Sequence, residues 1–125
     1  MIENIGIGID IVDVKRFKTI PYAYKKKFYE KIFLPSEIKY CLAFKNSTLH
    51  FAGKFAAKEA VKKSINETLD VHDIEVVSIS QVPKIKLRKR LPYKFLVSIT
   101  HENDFAIAVV ISERIKSDKL SSKLA

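Results

Sequence analysis

The chain has 125 residues, enough for one compact domain with its own core and too few for two. It is 47% hydrophobic and 30% charged, its longest apolar run (105–111) is too short to cross a bilayer, and no charged-then-apolar leader opens it, so a soluble cytoplasmic protein is expected. A single cysteine, Cys41, excludes an internal disulfide and a cysteine-rich zinc site, while the net charge of +9 implies an acidic partner: nucleic acid, anionic membrane, a phosphate-bearing ligand or an acidic protein.

Residues 5–12 alternate strictly, with Ile5, Ile7, Ile9 and Ile11 on one face and Gly6, Gly8 and Asp10 on the other, which predicts a strand. Two glycines beside an acid leave room for a ligand or another backbone to come close. Asp13 can cap a short basic segment through Lys15, Arg16 and Lys18, ended by Pro21. Residues 22–31 carry Lys25, Lys26 and Lys27 among aromatics and are expected to be helical. Pro35 stands near the first turn of a further helix.

A helix over 51–65 comes next. At about 100° per residue, Lys54, Lys58 and Lys62 fall at i, i+4, i+8 as a solvent-facing basic stripe. Phe51, Ala52, Phe55 and Ala56 mark the apolar side, and Glu59 projects into the middle of it. Strands are expected at 74–80, at 84–87 after Pro83, at 93–100 and at 105–111, the last two joined by a tight turn over 101–104. The sequence from Ser112 onward is Ser/Lys-rich, and its last ten residues, 116–125, are expected to fray as a tail. The order of strand, helices and then a run of strands makes residues 1–115 one α+β domain with helices on a mainly antiparallel sheet.

Asp10 and Glu59 are the chemical candidates. Packing the glycine-faced strand on the 51–65 helix brings the two carboxylates into one site. Two carboxylates with open coordination positions suit Mg²⁺ completed by substrate phosphates, and Lys63 could reach a phosphate there as a point charge. Each residue also has a plainer role open to it. Glu59 and Lys63 have the spacing of an i, i+4 ion pair. Asp10 could accept backbone hydrogen bonds, and His101, at a strand end, could simply face solvent.

At these residues the chain resembles the holo-acyl-carrier-protein synthases, small 4′-phosphopantetheinyl transferases. Three motifs match in order: residues 6–12 leading to Arg16 and Phe17, residues 51–60 followed by Lys63, and residues 97–101 leading into the strand around 106–110. Residues 34–38 look like the family's acidic helix start. The resemblance implies transfer of the phosphopantetheine arm of coenzyme A to a serine of acyl carrier protein, with release of adenosine 3′,5′-bisphosphate. It assigns Mg²⁺ to Asp10 and Glu59, a catalytic role to Glu59 and Lys63, and a phosphate contact to Lys63. Lys54 and His101 match positions at the 3′-phosphate end of the nucleotide, and Pro83 one near the adenine.

Arg16, with Lys15 and Lys18, is the implied docking edge for the acidic carrier, and the lysine cluster at 25–27 a weaker one. The resemblance further implies a homotrimer with active sites between subunits, acting in fatty-acid or related carrier-protein metabolism, with no role for nucleic acid or a membrane. The chain departs from the family pattern in two places. It has no glycine in 64–69, and it has Gln81-Val82 where Gly-Lys commonly precedes the proline. Two other readings remain: an impaired paralogue that only binds coenzyme A or carrier, and a nucleic-acid module using the basic charge with Tyr22, Tyr24, Phe28 and Tyr29.

Overall fold

In the computed structural model, which describes residues 2–116, the α+β expectation holds. Strand β1 (Ile5–Asp13) leads into helices α1 (Lys15–Lys18), α2 (Lys26–Ile32), α3 (Pro35–Leu42) and α4 (Ser47–Ser64). Four strands follow: β2 (Ile74–Ile79), β3 (Val82–Leu87), β4 (Tyr93–His101) and β5 (Phe105–Arg114). Short 3₁₀ turns occupy Tyr22–Tyr24 and Val71–Asp73. β1, β5 and β4 form one antiparallel sheet in that order, and β2 and β3 form a separate hairpin. The expected tail lies outside the described residues, apart from Lys116.

The two glycines of β1 are filled by backbone, not by ligand. α4 lies directly on this strand, and a Cβ added at Gly8 would overlap the carbonyl oxygen of Ala60, as one at Gly6 would overlap that of Ser64. Two residues of strand advance about 6.6 Å and four of helix about 6 Å, so the close approach repeats in register. Alanines 52, 56, 57 and 60 keep the helix surface low, and all four are buried. The isoleucine face of β1 points the other way and is open to solvent.

α4 ends without a glycine. Ile65 turns extended (φ −125°), and the hydroxyl of Ser112 donates to the carbonyl of Ser64 (2.8 Å), satisfying one of the acceptors the helix end leaves over. In the loop beyond, Ile65 and Leu69 are buried and Glu67 accepts the Tyr93 hydroxyl. The turn between β2 and β3 also lacks glycine: Ser80 and Gln81 take φ of 50° and 66°, the left-handed pair that a two-residue hairpin requires.

Two expectations about lysine fail. The stripe is not in water: Lys54 is 4% exposed and Lys58 is wholly buried, leaving only Lys62 half-exposed. The Lys58 ammonium reaches Glu37 (2.6 Å) and the carbonyls of Ile32, Val71 and Ile74 (3.0, 3.0 and 2.8 Å). Burial pulls its pKa below the ordinary lysine value, and Glu37 opposes that shift. Lys63 pairs with Asp10, not with Glu59.

The aromatic set of the nucleic-acid reading is likewise spent on the core. Tyr29 is fully buried against Phe17, Phe33 and Phe51, with Tyr22 and Phe28 packed on it, leaving Tyr24 as the exposed member.

Candidate active site

The register of α4 on β1 decides where the acids emerge. Gly8 sits at Ala60, so the next residue on that face, Asp10, arrives one helical turn earlier, between Phe55 and Glu59. Asp10, Asp13, Arg16, Phe55 and Glu59 line one open cleft. Asp10 is 16% exposed, and one of its oxygens takes the Lys63 ammonium at 3.0 Å, which also donates to the Ile9 carbonyl at 3.1 Å. Glu59 is 28% exposed, at the mouth of the cleft and not deep in the apolar arc, and its nearest cation is Lys62 at 3.8 Å. At that distance the carboxylate is nearly uncommitted.

Arg16 lies on the rim, its guanidinium 5.3 Å from the centre of the Phe55 ring. It gets there because Asp13 accepts the backbone N–H of Lys15 (2.9 Å) and starts α1 at the strand's end, which also leaves Lys15 and Lys18 exposed. The donor set suits a hard divalent ion: two carboxylates at an open surface, without nitrogen or sulfur ligands. Among the described residues no group of three His, Cys, Asp or Glu stands close enough to cage a metal, so an ion held here keeps water or ligand oxygens in its other positions.

Lys54, Pro83 and His101 meet elsewhere. They line a cavity of about 300 Å³ together with Tyr40, Phe44, His50, Gly53, Val76, Ser78, Gln81 and Ile99. The Lys54 ammonium donates to the Val76 carbonyl (2.8 Å) and lies 4.4 Å over the Tyr40 ring. His101 is the last residue of β4, paired with Ala106, one position further into the strand than the expected turn. Lys54 and Lys63 are nine residues apart on α4, about 180° around the axis, so the cavity and the cleft lie on opposite sides of the helix.

Two residues at these sites lie outside the sequence expectations, Asp13 as a cleft wall and His50 as a cavity wall, as does Glu37 in the core as the partner of Lys58. His50 stands one turn before Lys54 and would have been found by helical spacing had the helix been extended back beyond Phe51.

The family model of the 4′-phosphopantetheinyl transferase superfamily matches residues 6–110. The chain belongs to that superfamily. The match takes in both carboxylates of the cleft and all three of Lys54, Pro83 and His101. Among relatives of this phosphopantetheinyl transferase, the holo-[acyl-carrier-protein] synthase of Thermodesulfovibrio yellowstonii is 39% identical, with 89% of this chain and 98% of that protein covered. That of Geobacter metallireducens is 36% identical over 88% of this chain and 98% of its own. A crystal structure of the Helicobacter pylori holo-[acyl-carrier-protein] synthase in complex with coenzyme A superposes with a TM-score of 0.72 at 35% identity, covering 86% of this chain and 99% of that one. The Bacillus anthracis synthase in complex with coenzyme A (3′,5′-ADP) gives 0.74 at 32%, covering 87% and 96%.

Proposed function

We propose that the chain is a holo-acyl-carrier-protein synthase, moving the 4′-phosphopantetheine arm of coenzyme A onto a serine of apo acyl carrier protein, with Mg²⁺ as its ion. The observation that carries this is the cleft in which Asp10 and the uncommitted Glu59 stand beside Lys63 and below Arg16. Asp10 and Glu59 would hold the ion, which when bound offsets charge on the coenzyme A pyrophosphate.

The remaining work falls to the chain's own groups. Lys63 is a point charge for a phosphate oxygen, already oriented by Asp10. Lys54, His101 and Pro83 are the wall against which the 3′-phosphorylated nucleotide rests. The serine oxygen bonds to phosphorus, the bond from phosphorus to the departing adenosine 3′,5′-bisphosphate breaks, and the serine proton passes to water at Glu59. Holding these groups in line is the greater part of the catalysis expected for phosphoryl transfer. Arg16, Lys15 and Lys18 form the rim that an acidic carrier meets first, raising the rate of encounter.

Two half-sites on opposite sides of one helix suit an assembly in which neighbouring copies complete each site. The outer sheet face supports this: Ile7, Ile9, Ile11 and Leu96 are 68, 60, 60 and 70% exposed, a contiguous apolar surface that asks for a partner. We take the assembly to be a homotrimer, acting in the cytoplasm in fatty-acid or related carrier-protein metabolism. Incubation with apo carrier protein, coenzyme A and Mg²⁺ should add the phosphopantetheine mass to the carrier. Failure to modify any of several carriers would reject the proposal.

A further inference from the structure

The cavity around Lys54 holds more cationic capacity than the sequence reading assigned to it. His50 enters from α4, one turn before Lys54, and its ring stacks on Phe44 with centroids 3.7 Å apart. His101 enters from β4, its ring 5.9 Å from that of His50 at 71°. Lys54 shares the wall, and none of the eleven lining residues is an Asp or Glu. The groups facing His50 are Lys54 on its own helix, Tyr40 on α3 at 6.0 Å and His101 on β4, while β2, β3 and the turn between them contribute Val76, Ser78, Gln81 and Pro83, none of them titratable. Among the described residues the one histidine ring engaged in a hydrogen bond is His72, on the Glu30 carbonyl, so both cavity imidazoles are available to a ligand.

We propose that His50 is a third phosphate-binding residue of this cavity, taking a proton from solvent as the phosphate monoester of the coenzyme A nucleotide enters and donating it to a phosphate oxygen. Hydrogen bonds of about 2.8 Å from each imidazole span their separation with one phosphate between them. In the empty cavity His50 is held below the ordinary histidine value, by burial first and then by His101 and Lys54, so it stands neutral at pH 7.5. A doubly negative phosphate reverses that balance and charges the ring. The consequence is selectivity: affinity for a 3′-phosphorylated ligand rises as pH falls, and affinity for the same ligand without that phosphate does not.

The proposal rests on coenzyme A being the ligand, and the test separates the two. Titration calorimetry at pH 7.5 and at pH 6.5, in two buffers of different ionisation enthalpy at each, compares coenzyme A with 3′-dephospho-coenzyme A on the wild-type chain, His50→Phe and His101→Asn. His50→Phe keeps the ring stacked on Phe44. The wild type should take up protons with coenzyme A and none with the dephospho form. His50→Phe should lose most of that uptake and bind coenzyme A about tenfold more weakly at pH 6.5, the size expected of one charge-assisted hydrogen bond. Its affinity for the dephospho form should stay at the wild-type value. Full proton uptake in His50→Phe, or uptake lost only in His101→Asn, would overturn the role of His50 while leaving the function intact. Failure of the wild type to bind either nucleotide would reject both.

Discussion

Glu37 shows how much a single buried carboxylate can organise. One of its oxygens takes the Lys58 ammonium (2.6 Å) and the Leu34 N–H (2.8 Å), and the other takes the Val76 N–H (2.7 Å). Val76 is thus gripped at both polar ends, because its carbonyl receives Lys54. Glu37→Gln strands the Lys58 charge in the core and should cost about 3 to 5 kcal/mol in chemical denaturation. A loss below about 1 kcal/mol would show that the pair is not the clamp described here. Two other buried groups set the alkaline limit. Burial pushes the Tyr29 phenol and the Cys41 thiol each up to about 12, from ordinary values of 10 and 9. The unfolded chain loses these protons first, so their stabilisation is complete below pH 9 and is lost as pH rises from 9 to 12. Lys54 and Lys58, lowered by burial, act in the opposite sense, so the acids are read by difference. The melting midpoint of Cys41→Ala should fall less between pH 9 and 11 than that of the wild type, and an equal fall would contradict the burial.

At the scale of elements, the contact between β1 and α4 is the most demanding. Gly8→Ala has only the Ala60 backbone to displace, so it should cost about 3 kcal/mol or more. At Gly53 the added methyl meets the Cγ2 methyl of Ile99 at 3.1 Å, a side-chain contact and not backbone, and Gly53→Ala should stay within about 1 kcal/mol of wild type. Equal losses from the two would mean the helix is not seated as described; thermal melts decide between them. The alternation of β1 was legible, as was the proline that opens α3, because each rests on local periodicity or turn chemistry. The lysines were not. Their i, i+4 spacing usually marks a wetted face, and what buries them, namely Glu37 and carbonyls from α2, β2 and the 3₁₀ turn before β2, comes from outside the helix. His50 is hard to read for a related reason: α4 starts at Ser47 without a side-chain cap to mark it, and the apolar periodicity becomes plain only from Phe51.

For the whole molecule, the exposed isoleucine face and the divided site make one claim, that a single chain is an incomplete enzyme. Leu96→Glu places a charge on that face from β4, at a residue outside both the cleft and the cavity. It should leave circular dichroism unchanged, reduce the sedimenting species to monomer and abolish transfer. A wild-type chain that sediments as a monomer yet transfers at full rate would remove the claim. Within one chain, the proposed ion site is the cleft lined by Asp10 from β1 and Glu59 from α4. It is tested most directly by Glu59→Gln, with the mass of the carrier protein followed against time in coenzyme A and Mg²⁺. The variant should melt with the wild type and transfer phosphopantetheine about a hundredfold more slowly or not at all. Full-rate modification of the carrier by Glu59→Gln would contradict it.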